Sequence, residues 1–487
     1  MAKSLSRNFS VYMLKNLVSI AVPLITIPYA SRVLGPSGIG DVQYVQSWIS
    51  YFSLIAGLGI SSYAVREGSK LRDEYEKLQS FSSEIIEISV LSTAVAYVAL
   101  WIFLRTVENL RPYTFLFVVC SLLVAATGLN TEWICTIFED YDYISKRSIL
   151  FQLVSVVILF LLVKQRNDTI QYAVVLVMPT AAACILNWIY GKRKLCWKFR
   201  FGPNAIKKHI KPIICIFGVG IASTIYTSLD STMLGYIIGT DAVGIYTVAS
   251  RLSKSVLSLI NASCVVFLPR LSYYAGTNKS KFNDLSARVI NALLLLAIPC
   301  AMGLCTLSRE FIIIFSGNEF EAATVPMQVL SANIFFSALD GFLAWQILIP
   351  MNREKKLLIA TIVGMSVDGV LNALLIQNYG VVGASIATLL AEVCVCVISI
   401  FSCRDLLQFK PMIKNIFQCF LATIPFLLIH RLCVVINYSL MVCVLLAISL
   451  SCIAYIVALS LLKNESFFDL TREIKKQLET KMMKVQK

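Results

Sequence analysis

Long apolar runs recur along the whole chain, and this repetition limits the folds that the sequence can adopt. A helix needs about 20 apolar residues to cross the hydrocarbon core of a bilayer. Fourteen runs meet or approach this length: 8–34, 41–64, 83–104, 113–138, 148–163, 169–190, 212–235, 244–268, 289–307, 324–350, 357–376, 383–402, 415–429 and 439–462. The sequence therefore predicts an all-α polytopic membrane protein with about fourteen transmembrane helices.

Composition excludes a soluble protein and a nucleic-acid-binding protein. Hydrophobic residues make up 57% of the 487 residues and charged residues only 15%, whereas a soluble globular chain has about 25% charged residues. A soluble chain of this composition would expose large apolar patches. The net charge of +15 does not indicate nucleic-acid binding, because the basic residues occupy short loops between apolar runs rather than one folded domain.

The distribution of basic residues predicts the orientation. If the N-terminus is cytoplasmic, the inner loops and the two termini hold 33 of the 43 lysines and arginines, and the outer loops hold 7. Cytoplasmic loops of membrane proteins carry such an excess. We therefore expect a multi-pass protein of the bacterial cytoplasmic membrane with both termini inside.

No pattern in the sequence indicates catalysis or a metal site. Most of the 15 cysteines lie inside apolar runs, and the chain has no CxxC pair. The two histidines, His209 and His430, are far apart, so we expect no metal centre. A phosphate-binding GxxxxGK[ST] loop is also missing. We expect neither an enzyme nor a cofactor, with a proton or a sodium ion left open as a coupling ion.

Two similar segments indicate an internal repeat. Residues 31–35 and 231–235 both have the pattern S-x-x-L-G, and glycine turns follow at 38–44 and 243–249. This pattern predicts an N-terminal six-helix bundle at 1–204, a C-terminal six-helix bundle at 205–410, an extra helix pair at 411–462 and a basic cytoplasmic tail at 463–487. Transporters with parallel repeats place the substrate path between the two halves.

Charged residues inside the predicted spans are candidate site residues, because such residues usually face a cavity or a partner. They are Lys15, Glu132, Asp230, Arg251, Lys254, Asp340, Asp368 and Glu392. At about 1.5 Å of rise per residue, Asp230 and Arg251 lie at similar depth near the outer face and could form an ion pair. Lys254, one turn deeper, shares a helix face with Arg251.

Two interpretations of these charges stay open at this point. They could neutralise one another and hold helices together. They could instead line a hydrated, partly cationic cleft that accepts an anionic head group, with the acids carrying a coupling ion. Arg32, at the end of the first span, has a similar pair of interpretations: an interfacial residue that extends to the lipid surface, or a gate and head-group contact.

Six segments in order along the chain carry a family resemblance. They are PYASRVLGPSGIG at 28–40, LGISSYAVREGSK at 58–70, EWICTIFED at 132–140, SLDSTMLG at 228–235, VGIYTVASRLSK at 243–254 and LNALLIQNYGVVGASIATLLAE at 371–392. This set resembles the oligosaccharide flippases (Wzx type) of the multidrug/oligosaccharidyl-lipid/polysaccharide (MOP) exporter superfamily. The related lipid II flippases carry an S-R-x-x-G element in which the arginine faces the central cavity, and Arg32 matches that position.

The resemblance implies a V-shaped pair of six-helix bundles, as in the MATE transporters of the superfamily. It implies movement of an undecaprenyl-diphosphate-linked oligosaccharide to the outer leaflet for surface polysaccharide synthesis. Arg32, Lys15, Arg251 and Lys254 would then contact the substrate, with polysaccharide polymerase and glycosyltransferases as partners besides membrane lipid. An ion-coupled drug or cation antiporter of the same fold, a lipid II-type flippase, and a membrane glycosyltransferase or polymerase remain alternatives.

Overall fold

A computed structural model describes residues 5–197, 203–265, 267–407, 410–436 and 439–472. These residues form helices joined by short turns, and no strand occurs among them. The helices are α1 (Leu5–Gly57), α2 (Ile60–Gly68), α3 (Tyr75–Thr106), α4 (Thr114–Cys120), α5 (Leu122–Gly128), α6 (Glu132–Ile137), α7 (Tyr141–Leu162), α8 (Thr169–Leu195), α9 (Pro203–Ile237), α10 (Thr240–Val265), α11 (Leu268–Thr277), α12 (Lys279–Thr306), α13 (Ser308–Ser316), α14 (Thr324–Phe342), α15 (Glu354–Cys403), α16 (Lys410–Thr423), α17 (Pro425–Val435) and α18 (Leu440–Leu461). A π-helical segment, Leu343–Leu348, follows α14.

By length and composition, ten helices in the described part of the chain could cross a membrane, and two bent helix pairs raise the number to twelve. Two of them, Leu17–Leu71 with 55 residues and Glu354–Cys403 with 50 residues, are about twice as long as one crossing requires. Each contains two of the predicted spans. The prediction of an all-α polytopic membrane protein is confirmed, and the number of helices agrees roughly with about fourteen.

Glycines interrupt both of the long helices. The backbone has φ 71° at Gly35 in α1 and φ 55° at Gly380 in α15, in the left-handed region that only glycine adopts without cost. A Cβ atom at Gly383 would lie 2.4 Å from the carbonyl oxygen of Leu375. Eight residues of continuous helix would separate these positions by about 12 Å. The chain therefore reverses direction at the Gly380 break.

The chain divides into two compact units, Met1–Thr247 and Val248–Lys487. In the first unit, α1 packs against α3, α5, α7 and α9. In the second unit, α14 lies between α12 and α15, and α16 packs on α12. Large apolar side chains such as Phe417 and Leu428 are exposed, as a lipid-facing surface requires. The predicted bundle boundaries at 204/205, 410/411 and 462/463 stay predictions.

An ion pair connects the two ends of α15 outside the spans. The Arg353 guanidinium donates to both carboxylate oxygens of Asp405 and to the carbonyl oxygen of Ser402, the latter at 2.9 Å. The hydrogen bond from Arg353 holds the pKa of the Asp405 carboxyl below its usual range. Because Asp405 is half exposed, the pair contributes mainly to the position of this end of α15 rather than to stability.

Candidate functional site

The outer turn of α1 is built around Gly35; "outer" follows the predicted orientation. The Ser31 hydroxyl donates to the carbonyl oxygen of Ile27 at 2.7 Å, which closes the last turn before the break. Arg32 is exposed on this turn. Pro36 begins the next helical segment, where its fixed φ fits the first turn and its missing N–H costs nothing. The glycine-rich sequence after the first span thus forms a tight turn.

Two glycines bring the outer turn of α1 against the start of α10. A Cβ atom at Gly40 would lie 1.8 Å from the carbonyl oxygen of Thr240, and a Cβ atom at Gly244 would lie 2.0 Å from that of Pro36. Gly40 thus touches Thr240, which lies four residues before Gly244, and Gly244 touches Pro36, which lies four residues before Gly40. The two contacts are equivalent, because Pro36 and Thr240 are 204 residues apart and so are Gly40 and Gly244. Two repeats related by an axis along the membrane normal would make this reciprocal contact. We call it the glycine contact.

Hydroxyl groups continue this packing between α1 and α9. Ser50 donates to Ser228 at 2.9 Å, Thr232 donates to Ser47 at 3.0 Å, and the Tyr51 hydroxyl lies 3.2 Å from the Thr232 hydroxyl. Small residues that allow close approach, joined by hydroxyl hydrogen bonds, are typical of helix contacts in membranes. We call these five residues the hydroxyl seam.

A cross-link across the hydroxyl seam is expected to stop the transport that the family resemblance implies. The Oγ atoms of Ser50 and Ser228 are close enough that cysteines at both positions should form a disulfide. Copper phenanthroline is expected to oxidise the Ser50→Cys/Ser228→Cys variant, and dithiothreitol is expected to restore transport in proteoliposomes. Peptide mass spectrometry identifies the bond.

Ser223 lies on the same helix at 140° from Ser228, so Ser50→Cys/Ser223→Cys provides the matched control, which should remain reduced and active. Unchanged transport by the oxidised Ser50→Cys/Ser228→Cys protein would show that the hydroxyl seam need not open.

A polar pocket lies along the second half of α1, and we call it the inner pocket. It encloses about 610 Å³ and extends from Gln43 to Ser62 along α1 and α2, with further walls from α5 and α9. Glutamine, serine and threonine side chains dominate the lining, and none of the described lining residues is charged or aromatic. Because the part of α1 from Gln43 to Gly57 alone rises about 21 Å, the inner pocket follows about two thirds of the roughly 30 Å hydrocarbon core of a bilayer.

A second pocket adjoins the glycine contact at Pro36, and we call it the outer pocket. It encloses about 570 Å³ and is lined by the Gly35 turn, by Asp41 and Asp241, and by Arg166, Asn167 and Thr169 of the connection between α7 and α8. The outer pocket therefore differs from the inner pocket in carrying charged side chains.

The structure places the four predicted cations on two helices. Lys15 is half-buried and Arg32 exposed, both in α1. Arg251 is half-buried and Lys254 exposed, both in α10. All four take part in polar or electrostatic interactions. Their assignment to substrate binding stays a prediction.

The predicted acids occupy separate hydrogen-bonded positions. In the first unit, buried Asp230 accepts a hydrogen bond from the Tyr246 hydroxyl. In the second unit, Asp340 accepts from Ser399 at 2.6 Å and Glu392 accepts from Ser337 at 2.7 Å, so both acids join α14 to α15. Asp368 is buried within α15. The predicted pairing of Asp230 with Arg251 and the role of these acids as coupling groups stay predictions.

Glu132 belongs to a buried polar network near the inner end of the first unit. Arg147 donates to Glu132 at 2.6 Å and also to the amide oxygen of Asn187. Asn187 in turn donates to Asn130 at 2.8 Å. The side chain of Arg147 is only 5% exposed. This network ties α6, α7 and α8 together with a charged pair that neutralises itself.

Sequence reasoning missed two of these features. The predicted fifth span begins at residue 148 and so leaves Arg147 in the preceding loop, whereas α7 begins at Tyr141. The inner pocket does not appear among the predicted site residues, because its lining carries no charge. Its signal is the spacing of Gln43, Gln46, Ser50, Ser53 and Gly57, which places polar and small residues on one helix face.

Both histidines are paired with a glutamate in the structure. Buried His209 lies 2.7 Å from the Tyr63 hydroxyl and 2.7 Å from a carboxylate oxygen of Glu84. His430 lies 3.1 Å from Glu310. No group of three or more potential metal ligands occurs in the described ranges. These pairs therefore join helices within each unit.

Sequence comparison finds a family and a relative. The sequence model of a family described as "Polysaccharide biosynthesis protein" matches residues 5–275. A protein of Escherichia coli (strain K12) that is named as an O-antigen transporter is 25% identical over 392 residues, which cover 77% of this chain and 90% of the relative.

Structural comparison finds the same fold in two solved transporters. Lipid II flippase MurJ in an inward closed conformation has a TM-score of 0.77 at 15% identity, with 93% of this chain and 99% of MurJ covered. A multidrug resistance MATE family transporter of the MOP superfamily, in an inward-facing conformation, has a TM-score of 0.60 at 14% identity, with 82% and 97% covered. At these identities the likeness concerns the fold alone.

Proposed function

The chain belongs to the polysaccharide biosynthesis protein family, and we propose that it moves a lipid-linked oligosaccharide across the membrane during synthesis of a surface polysaccharide. The family and its named relatives are transporters, so the chain is a multi-pass membrane transporter and not an enzyme. The observation that carries the proposal is the inner pocket: a path of hydroxyl and amide groups at membrane depth suits a sugar chain. Sugars both donate and accept hydrogen bonds, as do serine, threonine and glutamine side chains.

The proposed substrate is an oligosaccharide on undecaprenyl diphosphate, moved from the inner to the outer leaflet of the bacterial cytoplasmic membrane. The lipid tail stays in the bilayer while the head group passes by alternating access. Lys15, Arg32, Arg251 and Lys254 would bind the diphosphate, for which charge-assisted hydrogen bonds are the strongest available contacts. Both termini would be cytoplasmic, with glycosyltransferases supplying the substrate and a polymerase consuming it.

The acids of the spans would carry a coupling proton or sodium ion, if the transport is ion-driven. These are Asp230, Asp340, Asp368, Glu392 and Glu132. Glu132 is the weakest candidate for this role, because Arg147 already neutralises it. Asp340 and Glu392 each accept a hydrogen bond from a serine, an arrangement that is compatible with gain and loss of a proton.

The drug or cation antiporter alternative is disfavoured by the inner pocket. A cationic, aromatic drug requires an acidic or aromatic lining, and neither kind of residue occurs among the described residues that line it. A lipid II-type flippase differs from the leading proposal only in the head group. A direct comparison of the two lipid substrates in the same vesicles distinguishes these two functions.

The test is transport of an undecaprenyl-diphosphate-linked oligosaccharide by purified protein in liposomes. Arg32→Ala and Lys254→Ala are each expected to lower the rate at least about tenfold, because each removes a charged hydrogen-bond donor worth roughly 1.5–3 kcal/mol. Arg309→Ala is the matched control: it removes an exposed arginine that pairs with Glu321 and should leave the rate unchanged. Wild-type rates in both variants would contradict the assignment of the cations, and no transport by the wild type would contradict the function itself.

A further inference from the structure

We propose that the inner pocket selects for an uncharged glycan: the sugars that occupy it during transport carry no carboxylate or phosphate group. This inference rests on the proposed function and concerns the chemistry of the sugar chain rather than that of the lipid carrier. It makes the second half of α1 a specificity-determining surface.

Polar residues are regularly spaced along one face of α1. Gln43, Gln46, Ser50 and Ser53 follow one another at spacings of three and four residues and line the inner pocket, so they form one continuous stripe along the helix. Each of these side chains both donates and accepts hydrogen bonds, and none carries a charge. A neutral sugar ring has hydroxyl groups around its edge. As it moves along this stripe, it can replace each hydrogen bond to one side chain by a hydrogen bond to the next, so that no polar group is left unpaired.

An acidic sugar would be poorly accommodated at the same place. No described residue that lines the inner pocket carries a positive charge, and an anion held at membrane depth without a counter-charge is strongly disfavoured. Arg147, buried elsewhere in the same unit, does not line the inner pocket, and its guanidinium is already bound to Glu132 and Asn187. The inner pocket therefore excludes an acidic sugar by the lack of a partner rather than by size.

The first turn of α2 limits the selective surface. Gly59, Ser61 and Ser62 line the inner end of the pocket at this helix N-terminus, where the partial positive charge of the backbone lowers the cost of an anion. The selective stretch is accordingly the part from Gln43 to Gly57, and the substitutions that test it belong there.

The first experiment compares two lipid-linked trisaccharides in proteoliposomes. Both are attached to the same polyprenyl diphosphate and differ only in their second sugar, a neutral hexose in one and the corresponding hexuronic acid in the other. The wild-type protein is expected to transport the neutral probe at least tenfold faster. Equal rates for the two probes would contradict the proposed selectivity and leave the proposed function intact. Transport of neither probe would contradict both the selectivity and the proposed function.

The second experiment supplies the missing counter-charge. Gln46→Lys is expected to raise the rate for the acidic probe and to lower the preference for the neutral probe at least tenfold. Asn109→Lys adds the same charge at an exposed position of the loop after α3 and should keep the wild-type preference.

Ser53→Lys repeats the test two turns further along the same face of α1, in case Gln46→Lys folds poorly. Size-exclusion chromatography reports the folding of each variant. Folded lysine variants with the wild-type preference would contradict the assignment of this stripe as the selective surface.

Discussion

Alanine in place of Gly40 is expected to abolish transport and to destabilise the protein by about 3 kcal/mol. The added Cβ atom would lie 1.8 Å from the carbonyl oxygen of Thr240, whereas non-bonded heavy atoms need about 3.5 Å. Because that oxygen belongs to the backbone of α10, no side chain can rotate to make room, and overpacking of this kind costs 1–3 kcal/mol or more. Thermal unfolding in detergent and transport in liposomes measure the two effects.

The reciprocal geometry makes a sharper prediction for the double variant. Gly244→Ala should cost about as much as Gly40→Ala, because its Cβ atom would meet the Pro36 carbonyl oxygen at 2.0 Å. Once one alanine has separated the two turns, the second should cost little, so the two effects should fall well short of additivity.

Gly303→Ala is the control, since a Cβ atom there meets nothing within 4 Å; it should be neutral or slightly stabilising. Full additivity of the Gly40 and Gly244 variants would mean that these glycines act at separate contacts.

Arg147→Ala is expected to destabilise the first unit by roughly 1.5–3 kcal/mol, because it removes a buried guanidinium whose charged hydrogen bonds hold Asn187 and the partly exposed carboxylate of Glu132. The side chain of Arg147 is 5% exposed, and it holds both Glu132 and Asn187. Thermal unfolding of the purified protein measures the change.

Removal of both charges should recover much of that loss. An apolar pair, Glu132→Leu/Arg147→Leu, leaves no charge unpaired and should be clearly more stable than Arg147→Ala. Lys77→Ala is the control in the same unit: Lys77 is 68% exposed and pairs with the exposed Glu74, so its loss should change stability by less than about 1 kcal/mol. Equal effects of Arg147→Ala and Lys77→Ala would show that burial of the pair contributes nothing.

The positions of the spans and the family could be predicted from the sequence, because both depend on signals that are local in the chain. The apolar length of a crossing is set by the bilayer, and each break in a long helix coincides with a glycine, at Gly35 and Gly380. The resemblance to the oligosaccharide flippases rests on ordered motifs, the family match agrees with it, and the solved transporters share the fold.

The partners of the charged residues could not be predicted, because they depend on contacts between distant parts of the chain. Asp340 is bonded to a serine 59 residues away, and Glu392 to one 55 residues away. Depth along a helix says at which level a side chain lies but not in which direction it points. The inner pocket could not be predicted for a different reason. Its serine, threonine and glutamine residues are common in any sequence, and they form a pattern only when the residues on one face of the helix are compared with one another.

The hydroxyl seam also sets an energetic scale for movement. Each hydrogen bond between membrane helices contributes about 0.6 kcal/mol on average, so the three contacts of Ser47, Ser50 and Tyr51 with α9 add about 2 kcal/mol in total. This amount is only a few times the thermal energy. If these hydrogen bonds alone held α1 and α9 together, roughly a few per cent of the molecules would have the two helices parted. A substrate therefore needs only a small difference in affinity between the closed and the parted state to shift this equilibrium.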